Sequence, residues 1–549
     1  MKLWRKTFFV SLTVLLVGSW VGKVEAAKKK KPVSTILMVP LDDRPANIYF
    51  PQQVGEAAGI GVIVPPKEMI GQFTNSGDGE KISQWLLDNG KNADGFVIST
   101  SMLAYGGLVA SRTGTKSLEE ATADIQVIKK LKAMYPDKPV YVYDTIQRLA
   151  VTAINEEYSK YYTLISEWAI LYDKVINLGM PGKERLVELE SIIPHSVLED
   201  YKNARERNHT INKRMIDWAD QGYIDYLILS QDDAAPYGLH RAERELLLEK
   251  VNELDVEEKV AVFPGADEVD VVLVSRFVNQ LFGSSPSFFI EYGGINGKEW
   301  IAPFEDTTFD YNVRKHIIAS GGVIGEDEKN VDIHLLLNTP SKHEEARSQD
   351  IDNFVKRIGE LTLDGKQVAI GDVLIVNKAD ETFVTELADR VDITKLLSYS
   401  GWNTAGNALG ITVGHAASRF AFIEQTSGFG VPVYEQAAKS HYEFLLHRFA
   451  KDQGYKNIVH PAARDFIADI GASEWDLGDK YDPVNDFVVE KLTSETENWY
   501  QNFNGKKIYI GSRGNKDFYK TIESLESVHV KLPWPRIFEA ELEPELKLK

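Results

Sequence analysis

Two adjacent aspartates, Asp232 and Asp233, close the apolar run Asp225-Tyr-Leu-Ile-Leu-Ser-Gln231. On an extended segment, neighbouring side chains point to opposite sides. One carboxylate of such a pair can hold a proton while the other stays ionised and orients a substrate, because proximity separates their pKa values. The pair therefore suits general acid–base work, and we take it as the candidate catalytic centre. Similar polar residues close other apolar runs: Asp42, Asp43, Arg44 and Asn47 after Val33–Pro40, then Tyr105 and Arg112 after Asp94–Thr100. Asp144 and Arg148 follow the run that begins at Pro139, and Tyr237 trails the aspartate pair. Asp267 and Glu268 follow the run from Lys259, and Trp402, Asn403 and Asn407 follow the run from Lys395. These are the candidate substrate-binding residues. Each carboxylate also has a structural alternative. Asp267 suits an N-cap of a helix from Val269, one of Asp232 and Asp233 suits a cap, and Asp43 with Arg44 suits a buried ion pair.

The elements that must position these residues form a repeating unit: a short β-branched run, a polar loop and an amphipathic helix. Strand candidates begin near Val33, Ile60, Asp94, Pro139, Lys174, Asp225, Lys259, Ser287, Asp332, Gly371 and Lys395. Their runs are almost wholly apolar, as in strands buried on both faces. Helical spacing lies between them, as at the capping box Ser117-x-x-Glu120 and through Ile351, Phe354, Val355, Ile358 and Leu361. Alternating strands and helices predict an α/β fold of parallel β/α repeats. Eight strand candidates fall between Val33 and Tyr292, which favours a (β/α)8-barrel-like arrangement over a doubly wound sheet or two sheets facing a cleft. Residues 33–300 are expected to form the catalytic-type β/α domain, and 301–462 a further β/α segment completing the same cleft. Residues 463–549 read as a small appended region with antiparallel strands. Because loops after parallel strands converge on one edge, Asp43, Arg44, Tyr105, Arg112, Asp144, Asp232, Asp233, Asp267 and Trp402 are expected to line one cleft.

The N-terminus reads as a cleavable secretory signal. Lys2, Arg5 and Lys6 precede an apolar stretch from Thr7 to Val21, and Val24-Glu25-Ala26 offers a cleavage site after Ala26. Residues 27–32 read as a basic linker. The 549 residues contain no cysteine, which excludes disulfides, thiolate metal sites and a cysteine nucleophile. Removing residues 1–26 takes away four basic residues and one acidic one, leaving 58 basic against 80 acidic. A net charge of −22 repels nucleic acid, so no nucleic-acid partner is expected. No later window is apolar and long enough for a membrane span. The sequence has no Gly-x-Ser-x-Gly elbow, no phosphate-binding P-loop and no His-Glu-x-x-His.

Two resemblances sharpen this reading. An apolar strand ending in Asp-Asp is similar to the strand end of glycosidases that use the substrate's own N-acetyl group as nucleophile, over about ten residues. There the pair supplies the polarising residue and the general acid. Over nearly the whole mature chain, the motifs Pro40-Leu-Asp-Asp-Arg-Pro45, Tyr105-Gly-Gly-Leu108, Gln231-Asp-Asp233 with Pro236-Tyr-Gly238, Gly265-Ala-Asp-Glu268, Gly401-Trp-Asn-Thr-Ala-Gly-Asn407 and Leu532-Pro-Trp-Pro-Arg536 occur in order. In this order they resemble the bacterial proteins grouped as a domain of unknown function, number 4127. That resemblance implies that the loops belong together and carries no reaction. The expectation is thus a secreted hydrolase acting on carbohydrate, a glycoside hydrolase using Asp232 and Asp233 and no cofactor. One alternative is a hydrolase using a divalent metal on Asp42, Asp232, Asp233 and Asp267. The other is a non-catalytic wall or solute-binding protein.

Overall fold

Apolar runs bounded by polar loops become strands covered on both faces, and here they do so twice. A computed structural model describes residues 32–549 except 153–155, 295–296 and 426–427, so the stretch read as a signal peptide and most of the one read as a basic linker lie outside the described residues. The first sheet contains β1 (Ser34–Val39), β2 (Ile60–Ile63), β3 (Gly95–Ser99), β4 (Val140–Ile146), β5 (Tyr226–Gln231) and β6 (Val260–Pro264). Their order is β2-β1-β3-β4-β5-β6, with every pairing parallel. The second sheet contains β7 (Ser287–Tyr292), β8 (Val323–Ile324), β9 (Ile333–Asn338), β10 (Gln367–Asp372) and β11 (Ser398–Ser400). It is also wholly parallel, in the order β11-β10-β9-β7-β8. An antiparallel third sheet joins β12 (Lys507–Arg513), β13 (Lys516–Lys531) and β14 (Glu541–Leu548).

The parallel α/β character expected from the sequence is present. The eight-strand count behind the barrel-like expectation needs two corrections. The run from Lys174 is not a strand but part of a π-helical turn, Asp173–Asn177, that continues the helix Glu156–Tyr172. The buried Asp173 carboxylate accepts bonds from Arg241 and from the Gly238 backbone N–H, which anchors the turn to a neighbouring loop. Ser287–Tyr292 pairs with β9 and β8, so it belongs to the second sheet. Among the described residues no pairing joins the end strands of either sheet. The strand expected from Gly371 begins earlier, at Gln367, and the chain leaves it after Asp372.

The two parallel sheets meet through a pair of helices, Val269–Phe282 and Ala405–Glu424. Gly410 and Gly414 allow the close approach. A Cβ at Gly414 would stand 2.7 Å from Val271 Cγ1, and one at Gly410 would stand 2.1 Å from Glu268 Cγ. One apolar core runs through this contact, from Ile36 and Phe263 of the first sheet to Leu336 and Ile370 of the second. The expected capping box is complete, with Ser117 and Glu120 bonding reciprocally at the start of Leu118–Asp124. No helix among the described residues is long and apolar enough to cross a membrane.

Candidate active site

The C-terminal ends of both parallel sheets open onto one cavity of about 430 Å³. From the first sheet come Asp42 and Arg44 after β1, Arg112 beyond β3, Arg148 after β4, Asp232 and Asp233 after β5, and Asp267 after β6. From the second come Phe304 and Glu305 beyond β7, Asn377 beyond β10, and Asn403 and Asn407 beyond β11. The C-terminal part of the chain closes the rim with Trp475, Trp534, Arg536 and Phe538.

Most polar groups in this wall are paired. Arg44 bridges two carboxylates, reaching Asp42 Oδ2 and Asp267 Oδ1, each at 2.6 Å. Asn403 Nδ2 donates to Asp267 Oδ2 at 2.9 Å, and Asn407 Oδ1 accepts from the Asp267 backbone N–H at 3.1 Å. Asp232 pairs with Arg112, and Asp233 with Arg148. The adjacent aspartates therefore face different guanidinium groups, as an extended segment requires. Asp232 is 9% exposed and Asp233 29%, so Asp233 is the more open to the cavity. Burial pushes Asp232 up, but the charges of Arg112 and Arg148 outweigh it and hold this carboxyl below the usual range. Burial raises Asp233, and the neighbouring Asp232 charge adds to the rise against the pull of Arg148.

The backbone around the cavity is unusual. Phe73, Phe304, Asn377 and Asn403 all have positive φ, at 51°, 68°, 67° and 64°, and all four line the cavity. Among non-glycine residues, only Asp255 shares this conformation among the described residues. Asparagine tolerates it; phenylalanine does so only when its surroundings impose it. Hydrogen bonds supply that constraint. The Asn377 N–H donates to the Asn403 carbonyl at 2.8 Å, and the Ala234 N–H to the Phe304 carbonyl at 2.8 Å. The Gln72 side chain donates to the Pro533 carbonyl at 3.1 Å. Strain of this sort gathers where side chains must be aimed.

Several residues expected in the cleft do not line it. Asp43 is buried behind the wall and accepts from Trp534 Nε1 at 2.8 Å, so it is not the partner of Arg44. Asn47 donates to the Asp267 carbonyl at 3.2 Å and to Asp270 at 3.3 Å. Tyr105 is buried beneath the Arg207 guanidinium, 4.2 Å from its ring centre. Asp144 is enclosed by Ser101, Asn212 and the Thr145 backbone. Tyr237 packs against Lys174 instead, and Glu268 bonds to His316 at 3.0 Å. Trp402 is fully buried and donates to Glu539 at 2.9 Å. These residues support the wall without lining it. The helix from Val269 has no side-chain cap, so Asp267 does not serve as one.

Glu305 is a cavity residue that the strand-end pattern missed, because it lies thirteen positions beyond the end of β7. Its carboxyl accepts from the Gly406 N–H at 2.6 Å and from Asn312 at 3.0 Å. Burial pushes it up to about 7. Among the described residues, no three imidazole or carboxyl groups are arranged to hold a metal ion.

The chain aligns with a solved structure titled "The Structure of a C2-type Ketoreductase from a Modular Polyketide Synthase" at 10% identity, over 72% of this chain and 76% of that one, with a TM-score of 0.20. No curated protein matches the sequence. The family described as "Protein of unknown function (DUF4127)" matches residues 36–543, so with all but the chain ends covered, the protein belongs to that family.

Proposed function

We propose that the protein is an exported glycoside hydrolase and that Asp233 and Asp232 act as its acid and its orienting carboxylate. The observation that carries this reading is the inequivalence of the pair: the more open carboxyl is raised and its neighbour is held ionised. Asp233 would protonate the departing glycosidic oxygen as the bond to the anomeric carbon breaks. Asp232, kept charged by Arg112, would orient the nucleophile that attacks that carbon. Water completes the exchange: its oxygen stays on the sugar and its proton returns to Asp233. Trp475, the exposed ring of the rim, offers a face of the kind on which sugars stack, and Asn377, Asn403 and Asn407 offer amides for hydroxyl groups.

A binding role without turnover has one observation in its favour: each of Asp42, Asp267, Asp232 and Asp233 already faces a guanidinium. A metal-dependent hydrolase would need those carboxylates turned from arginine toward one cation. A panel of activated aryl glycosides, assayed with and without a chelator, separates the three. Chelator-insensitive turnover supports the glycosidase, and chelator-sensitive turnover supports the metal enzyme. Saccharide binding without turnover supports the binding protein.

A further inference from the structure

The cavity wall contains four guanidinium groups: Arg44, Arg112, Arg148 and Arg536. The first three are committed to carboxylates. Among the described residues, Arg536 has no carboxylate within ion-pair distance, and its Nε is buried without a hydrogen-bond partner. Glu474 attracts Arg536 from beyond ion-pair distance and pairs instead with Arg464, so the half-buried guanidinium keeps N–H donors for a ligand.

Arg536 is also held in place. Its guanidinium lies 5.0 Å from the ring centre of Phe73 and 5.9 Å from that of Trp475. The Phe73 ring packs on Trp534, at 4.9 Å between centres. The positive φ of Phe73 puts backbone strain into the same contact. Aromatic faces fix a guanidinium without neutralising it, leaving its fork of N–H donors for a planar or tetrahedral anion. The other three guanidinium groups of the wall stand among its carboxyls, and Arg536 stands apart from them. Burial raises Glu305 to about 7 and Asp267 to about 6, and it raises Asp233 as well, so mild acidification strips negative charge from the wall and favours an anion further.

We propose that Arg536 is an anion subsite of the cavity, binding a carboxylate, sulfate or phosphate group carried by an acidic saccharide. The saccharide part rests on the hydrolase reading above; the anion part does not. The Leu532-Pro-Trp-Pro-Arg536 motif then gains a purpose. Its two prolines stiffen a turn that presents Trp534 to the wall and Arg536 to the ligand.

Calorimetric titration of the mature chain at constant ionic strength tests both parts, with inorganic sulfate, glucuronate, glucose 6-sulfate, glucose 6-phosphate and glucose as probes. The expected result is that sulfate and at least one acidic sugar bind and glucose binds far more weakly. Arg536→Met, which keeps an apolar stem, should weaken the anions at least about tenfold, and Arg536→Lys should keep part of the affinity. The acidic sugar that binds best identifies which anion the fork selects. Sulfate binding that depends on Arg536, with no binding or turnover of any saccharide, would keep the subsite and overturn the hydrolase. Turnover of neutral glycosides without anion binding, or anion binding unchanged in Arg536→Met, would overturn the subsite and leave the hydrolase standing.

Discussion

Two regions of this molecule bury many charges, and only one of them has room for a ligand. In the cavity, paired carboxylates and arginines face an open volume ringed by strained backbone. Behind it, the π-helical segment Ala450–Val459 carries a closed cluster. There Arg448 pairs with Asp452 at 2.8 Å, and Glu539 takes Lys451 at 2.6 Å and Lys456 at 3.3 Å. The Trp402 indole and the Gly401 N–H complete the cluster, bonding to Glu539 and Asp452. Buried charge alone thus does not mark a functional site. The closed cluster grips the two segments that deliver Asn403 and Phe538 to the wall. The cavity differs in leaving a guanidinium unpaired and a carboxyl partly open.

Substitutions in the two regions should separate fitness to fold from fitness to react. The largest expected effect is on stability, in the closed cluster. Lys451→Met leaves Glu539 buried with part of its compensation gone, which should cost about 3–5 kcal/mol in urea unfolding. An unchanged midpoint would mean that the cluster is not what holds the 401–403 and 537–539 segments. The mirror experiment is Asp233→Asn in the cavity, at the more open carboxyl of the pair. Turnover should fall by a factor of order 10² or more, with the unfolding midpoint shifted far less than by Lys451→Met. Equal loss of stability in both variants would erase the distinction between the regions.

The pH dependence of stability offers a smaller contrast. Asp270, just behind the cavity wall, is raised by burial from 3.8 to about 8. The folded state then holds a proton that the unfolded chain gives up, so this contribution is complete below 3.8 and is lost as pH rises toward about 8. Burial pushes Glu539 up, but Lys451 and Lys456 outweigh it and leave this carboxyl well below its ordinary value. Its contribution is therefore present at neutral pH and fades in acid. Asp270→Asn should flatten the fall in urea midpoint between mildly acidic and mildly alkaline buffers, and Glu539→Gln should flatten the fall in acid. The smallest effect belongs outside both regions. Ser117→Ala removes one half of the capping box and should cost about 1 kcal/mol with no change in turnover.

The sequence made the strands and their loops legible because a doubly buried strand can hardly be written except as an apolar run. Asp232, Asp233, Asp267, Arg112 and Arg148, legible from that pattern alone, line the cavity. The pattern does not say which side of a loop faces the cavity, and Asp43, Tyr105, Asp144 and Trp402 lie buried behind the wall. Glu305 and Phe304 lie too far past their strand to be seen as strand-end residues. Trp534 meets Asp43 across 491 positions, a contact that only the folded chain reveals. The run from Lys174 looked like a strand because Val175 and Ile176 are β-branched, but its continuity with the preceding helix decided its form.

If Asp233 supplies the proton for glycosidic bond cleavage, the dependence of rate on the leaving group reveals it most directly. Wild type and Asp233→Asn should be compared on aryl glycosides whose phenols range from poor to good leaving groups. The expected result is a loss of about 10² or more on poor leaving groups, shrinking steadily as the phenol becomes more acidic, because a good leaving group needs no proton. An equal loss across the whole series, or wild-type rates throughout, would contradict the assignment of Asp233 as the acid.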